Sequence, residues 1–96
     1  MSERPQDYPE QAGSWFVAIE ENYGDAWKVT GVQPFATRDE AMWHAVNTAR
    51  GYVPKSGLFK EKTRWIMQVG QDSWLVVIGG KHWNTHFRIS VGRQVW

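Results

Sequence analysis

Tryptophan is the residue that most constrains this chain, because seven of its 96 residues are Trp and none is Cys. A domain of this size buries only about 60–65% of the surface that its unfolded chain exposes, and without cysteine it has no disulfides to compensate. Each enclosed Trp removes roughly 150–250 Å² from solvent, which stabilises the fold by roughly 4–6 kcal/mol. We therefore expect most of the tryptophans to form the core of one small domain.

Alternating aromatic and β-branched residues predict five strands, over residues 14–20, 26–32, 63–69, 74–78 and 85–91. One helix is predicted over residues 38–50, because Thr37 and Glu40 have the spacing of a capping box and Gly51 can end the helix in a left-handed conformation. The expected order is ββαβββ. It indicates an α+β fold in which one helix covers one face of a five-stranded antiparallel sheet. The fourth strand is apolar on both faces, which favours a central position.

Strand alternation divides the sheet residues between two faces. The apolar set predicts the core face under the helix: Trp15, Val17, Ile19, Trp27, Val29, Trp65, Met67, Val69, Phe87, Ile89 and Val91. The other set mixes apolar and basic side chains, and includes Phe16, Lys28, Arg64, His86 and Arg88. One helix cannot cover both faces, so the second face is either solvated or covered by a partner.

Charge is distributed unevenly although the net charge is only +1. Residues 1–49 carry three basic and eight acidic side chains, whereas residues 50–96 carry eight basic and two acidic ones. This asymmetry fits either contact with nucleic acid or attraction between the two halves of one fold. The sequence leaves both interpretations open.

Catalytic and metal-binding patterns are weak in this sequence, and we expect neither an enzyme nor a cofactor. There is no thiol nucleophile and no Gly-x-Ser-x-Gly motif, and Asp72 and Ser73 fit a hairpin turn. His82 and His86 have the spacing of two metal ligands, but no carboxylate lies in that segment. We interpret them as surface histidines and predict no metal site.

Binding is the function that the composition favours. Trp43, Trp83 and Trp96 are the tryptophans that the core needs least, and Arg50 lies beside Trp43 on the predicted helix. A protein partner is the first hypothesis, and it includes a homodimer formed through sheet faces or edge strands. The alternative is nucleic acid, with phosphates on the basic side chains and bases stacked on aromatic rings. The candidate residues for these two hypotheses are Phe16, Lys28, Trp43, Arg50, Arg64, Trp83, His86 and Arg88.

Five short segments carry a resemblance to other proteins. They are Trp15-Phe-Val-Ala-Ile-Glu20, Gly24-x-x-Trp27-x-Val29, Arg38-Asp-Glu-Ala41, Trp74-Leu-Val-Val77 and His86-Phe-Arg88. Across most of residues 14–91 the chain resembles small proteins of actinobacteria such as streptomycetes, a group with no activity to transfer. The resemblance implies a cytoplasmic accessory protein.

Targeting and membrane-spanning patterns are not apparent in the sequence. Residues 1–13 are polar and predict a flexible tail rather than a signal peptide, which leaves residues 14–96 as the domain. The longest apolar run, Trp74 to Ile78, is far shorter than the ~20 residues that a membrane helix needs. We therefore predict a cytoplasmic protein without a membrane partner.

Overall fold

One antiparallel sheet and one helix make up the described structure, a computed structural model that covers residues 14–54, 61–81 and 83–95. The elements are β1 (Trp15–Tyr23), β2 (Ala26–Phe35), α1 (Arg38–Gly51), β3 (Thr63–Gly70), β4 (Ser73–Gly79) and β5 (Asn84–Arg93). The strand order across the sheet is β2-β1-β5-β4-β3. This confirms the predicted α+β fold and its ββαβββ order. The predicted tail, residues 1–13, lies outside the described residues.

The sequence predicted the capping residue at the N-terminus of α1 correctly, but not the conformation at its C-terminus. Thr37 has an extended backbone, and its hydroxyl accepts a hydrogen bond from the Glu40 backbone N–H at 3.2 Å, as a capping residue does. At the other end the prediction of a left-handed glycine was wrong. Gly51 is the last helical residue, and the chain leaves the helix at Tyr52 with φ −67° and ψ 134°. A side chain from β3 binds the carbonyls there instead, as described below.

The core lies between α1 and the sheet. Ala41, Ala45 and Ala49 are fully buried at a four-residue spacing, which lets the helix approach the strands closely. Partly buried Met42 and Val46 lie beside them. On the sheet, the buried apolar residues of this helix-covered face are Val17, Trp74, Val76, Ile78, Phe87, Ile89 and Val91.

The strand order corrects the prediction for the middle of the sheet. β5, not β4, is the central strand, with β1 on one side and β4 on the other. The helix packs mainly on β5 and β1 and to a lesser extent on β2. β4 is apolar on both faces because it is still an interior strand, between β5 and the edge strand β3.

A β-bulge in β2 overturns part of the predicted face assignment. Ile19 pairs with Gly31 but Glu20 pairs with Val29, so Thr30 is an extra residue in β2. An extra residue reverses the alternation of every residue before it. As a result, Trp27 and Val29 point away from the helix, where the sequence predicted core positions, and Lys28 pairs with Glu21 on the helix-covered face.

β3 is the second place where the alternation was misinterpreted. Trp65 pairs with Val77 and Met67 with Leu75, so both lie on the face away from the helix and both are exposed. Val69, predicted as core, is exposed as well. The physical reason is the position of β3 at the edge, beyond the strands on which the helix packs. Alternating apolar residues in this edge strand therefore do not indicate a buried face.

Candidate functional site

The face of the sheet away from α1 is the largest candidate surface, and we call it the open face. Directly opposite residues in antiparallel strands share a face, so the pairings across all five strands define its members. They are Phe16, Ala18, Glu20, Asn22, Trp27, Val29, Val32, Pro34, Thr63, Trp65, Met67, Gly70, Ser73, Leu75, Val77, Gly79, Asn84, His86, Arg88, Ser90 and Gly92. Most of these side chains are apolar, and no helix of the described residues packs on them.

Four side chains form the polar centre of the open face. The Arg88 guanidinium lies over the Trp27 ring, with its Cζ atom 4.1 Å from the ring centroid. Its Nε atom donates to Glu20 Oε1 at 3.0 Å, and its Nη2 atom donates to Glu20 Oε2 at 3.4 Å. The His86 ring meets the Trp27 ring edge to face at 5.2 Å. Arg88 is thus held by a carboxylate and a ring at once, which fixes a planar, amphipathic group in the middle of the sheet.

Exposed apolar side chains lie on both sides of this centre. Val29 and Val32 are 60% and 59% exposed at the β2 side, and Trp65 and Met67 are 53% and 41% exposed at the β3 side. Among the strand residues paired on this face, the only charged groups are Glu20 and Arg88, which neutralise each other. The open face is therefore broad, largely apolar and without net charge.

Only three of the predicted binding residues lie together. Phe16, His86 and Arg88 share the open face as expected. Lys28 is on the helix-covered face, where its Nζ atom lies 5.3 Å from the centroid of the Tyr23 ring. Arg64 is also on that face, which removes two of the three basic groups that the nucleic-acid hypothesis placed on the open face.

Arg64 instead closes the end of the helix. Its Nη1 atom donates to the Ala49 carbonyl oxygen and its Nη2 atom to the Tyr52 carbonyl oxygen, each at 2.9 Å. Glu61 binds the same guanidinium at 2.8 Å and 3.0 Å, and this cation lowers the pKa of the Glu61 carboxyl. A cation at a helix C-terminus also complements the helix dipole. Arg64 therefore has a structural role that explains why Gly51 does not need a left-handed conformation.

The exposed tryptophans outside the sheet occupy separate places. Trp43 is 71% exposed on the outer surface of α1, beside an open depression lined by Phe35, Asp39, Glu40, Trp43 and His44. Arg50 is exposed at the last turn of the same helix. Trp83 is exposed before β5, where its carbonyl oxygen accepts from the Gly80 N–H at 3.0 Å. None of the three belongs to the open face.

A buried carboxylate that no sequence pattern indicated lies on the helix-covered face. Glu21 is fully buried and accepts hydrogen bonds from the hydroxyls of Tyr23, at 3.0 Å, and of Tyr52. Desolvation and the bond to Glu21 raise the pKa of both tyrosines. The Tyr52 ring also packs against Phe87 at 5.0 Å. These contacts tie the segment after the helix to β1 and β5.

Sequence reasoning missed the apolar members of the open face. Trp27, Val29, Trp65 and Met67 were assigned to the core, although one signal was available for the first two. Gly31 inside a strand is typical of a bulge, and a bulge would have reversed Trp27 and Val29.

Groups of metal-ligating side chains and long apolar helices were sought in residues 14–54, 61–81 and 83–95. No group of three or more His, Asp or Glu side chains in those ranges could hold a metal ion. The predicted pair of His82 and His86 cannot be placed, since His82 lies outside the described residues. In the same ranges no helix is long and apolar enough to cross a membrane.

Comparisons with known proteins give this chain no relative. No family model, no curated protein and no solved structure matches it. The open face must therefore be interpreted from its own chemistry.

Proposed function

We propose that this chain is a small protein-binding module whose partner packs on the open face. The observation that supports this most is the contrast between the two faces of one sheet. One is covered by α1, and the other carries exposed Val29, Val32, Trp65 and Met67 around a fixed Trp27–Arg88 pair. Aromatic residues, Met and Arg are the residue types enriched at the centres of protein interfaces.

Charge defines the kind of partner. Glu20 and Arg88 neutralise each other, so the open face offers no uncompensated charge to a ligand among its paired residues. A strongly charged partner surface would lose its hydration there without gaining an ion pair. The proposed partner is therefore a protein with a mainly apolar, uncharged contact surface.

Nucleic acid is less well supported by the positions of the basic residues. Binding to phosphates depends on cations grouped along one surface. Lys28 and Arg64 lie on the helix-covered face, where Arg64 holds the helix terminus, and Arg88 is paired with Glu20. Phe16 and Trp27 could stack with bases, but the described open face provides them with no group of cations.

The site differs from the one that the sequence suggested. Trp43 and Arg50 lie on the helix, on the opposite side of the sheet, so Trp27 and Trp65 replace Trp43 as the proposed aromatic contacts. A non-enzymatic role, a location in the cytoplasm and the actinobacterial resemblance stay predictions from the sequence.

Site-specific photo-crosslinking in the producing cell tests the proposal. A photoreactive side chain replaces Val32 on the open face, and the matched control replaces Asn47, which is exposed on α1. We expect a discrete protein adduct from position 32, resistant to nuclease, that position 47 does not give. The added substitution Val29→Lys should reduce the adduct at least several-fold, because it places a charge in an apolar contact.

Two outcomes would contradict the proposal. One is the same set of adducts from positions 32 and 47, which would indicate random collision. The other is a nuclease-sensitive adduct from position 32. An NMR titration with a pool of single- and double-stranded oligonucleotides at low salt complements the test, and shifts at Trp27 and Arg88 that disappear at moderate salt would favour nucleic acid.

A further inference from the structure

We infer that β3 pairs with β3 of a second copy of this chain, which joins two sheets into one continuous antiparallel sheet. The inference concerns the edge of the sheet and does not depend on the partner proposed for the open face. Three features of β3 within the described residues support it: a regular ladder without proline from Thr63 to Gln68, exposure on both faces and a self-complementary sequence.

β3 is the last strand of the sheet, so one row of its backbone N–H and C=O groups faces away from β4. Such a row is a template for another strand unless a bulge, a proline or a charged side chain blocks it. The pairing of β3 with β4 is regular from Thr63 to Gln68, and this stretch contains no proline. Its one charged residue, Arg64, is directed to the helix terminus and to Glu61.

β3 has exposed apolar side chains on both of its faces. Trp65 and Met67 are exposed on the open face, and Ile66 is 42% exposed on the other face, beyond the strands that α1 covers. An isolated long edge with apolar side chains above and below is unusual in a chain that stays single. Strand pairing with a second copy would bring a side chain of that copy beside each of the three and leave the faces themselves open.

The sequence of β3 is complementary to itself when two copies pair antiparallel. A two-fold axis at Ile66 places each residue opposite one that shares its face, because the two positions of every pair then differ by an even number. Trp65 comes opposite Met67 of the partner subunit, and Ile66 comes opposite Ile66 of the partner subunit. Arg64 comes opposite Gln68 of the partner subunit, so no like charges meet.

The regular stretch favours this axis over an axis at Met67. An axis at Met67 would bring Val69 into the five central positions, and the register of β3 with β4 shifts there. With the axis at Ile66, the central pairs use only Arg64 to Gln68, all within the regular ladder. A second copy therefore fits this edge without a change in the strand.

Charge exchange at the axis gives the decisive test. Ile66→Lys and Ile66→Glu each place two like charges opposite each other in a dimer, but a mixture of the two variants places opposite charges there. Sedimentation analysis from low to high micromolar concentration should give twice the 11.1 kDa mass for the unchanged chain. Each variant alone should give the single mass, with at least a tenfold weaker association, and the mixture should regain the double mass.

A cysteine at the axis supplies a second readout that introduces no charge. The chain has no native cysteine, so Ile66→Cys introduces one thiol per copy. Residues opposite each other across an antiparallel pair approach to about 4.5–5.5 Å between Cα atoms, within the range that a disulfide spans. Mild oxidation should convert most of this variant to a covalent dimer, whereas Asn47→Cys on α1 should stay largely single under the same conditions.

The results that overturn the inference are specific. A single mass for the unchanged chain at every concentration would do so, as would equal association of Ile66→Lys and the unchanged chain. The variant Val32→Lys, on the open face at the far side of the sheet, is the control that keeps the two proposals apart. It should leave the dimer intact even if the open face binds another protein, and a dimer lost in this variant would place the contact on the face instead of the edge.

Discussion

The two faces of this sheet show how differently adjacent residues of one strand are used. Phe87 and Arg88 are neighbours in β5, but Phe87 is fully buried under α1 against Tyr52, whereas Arg88 lies over Trp27 on the open face. The helix-covered face encloses alanines, a phenylalanine and a carboxylate with its hydrogen-bond donors. The open face keeps large apolar groups in solvent. We conclude that stability depends on the first face, which leaves the second available for binding.

Truncation of Phe87 should give the largest difference between the faces. Phe87→Ala removes a fully buried ring from the central strand, and such changes destabilise proteins by about 3–5 kcal/mol. Val32→Ala on the open face is the control, and as a surface substitution it should change the free energy of unfolding by less than about 0.5 kcal/mol. Urea unfolding followed by tryptophan fluorescence measures both values. Similar losses in the two variants would contradict the assignment of stability to the helix-covered face.

Removal of the Arg64 or the Arg88 guanidinium tests the same comparison of the two faces. The expected losses of stability are smaller than for Phe87. Arg64→Ala leaves the Ala49 and Tyr52 carbonyl oxygens at the helix end without their donor, which should cost about 1.5–3 kcal/mol, because hydrogen bonds to a charged group are worth that much. Arg88→Ala removes a part-exposed ion pair and a ring contact and should cost about 1 kcal/mol or less. Thermal unfolding of both variants ranks them. A larger loss for Arg88 would move the structural role to the open face.

The same two arginines illustrate what the sequence could and could not predict. The order of elements followed from alternation and from the Thr37 cap, since these are local signals. The faces depended on two features that alternation does not contain. Thr30 as a bulge residue reversed Trp27 and Lys28, and the edge position of β3 left Trp65 exposed while Arg64 reached the helix end. Such positions depend on which strands pair and on which strands the helix packs. Both depend on residues far apart in the sequence.

Removal of the Tyr52 hydroxyl, which donates to the buried Glu21 carboxylate, should have the smallest effect on the free energy of unfolding. This effect depends on pH. The folded state raises the pKa of Tyr23 and Tyr52, through desolvation first and through the bond to Glu21 second. A pKa that is higher in the folded state adds stability that is complete below the unfolded value, about 10 for tyrosine, and is lost as pH rises through the folded value. The free energy of unfolding should therefore decrease above about pH 10, and less steeply in Tyr52→Phe, which has no hydroxyl to ionise.

Urea unfolding at a series of alkaline pH values measures this slope. Arg88→Ala is the matched control, since its site is on the open face, away from Glu21. Tyr52→Phe and Arg88→Ala could both lose stability with the same slope as the unchanged chain. In that case the alkaline loss would not come from Tyr52, which would contradict the hydrogen bond between its hydroxyl and Glu21.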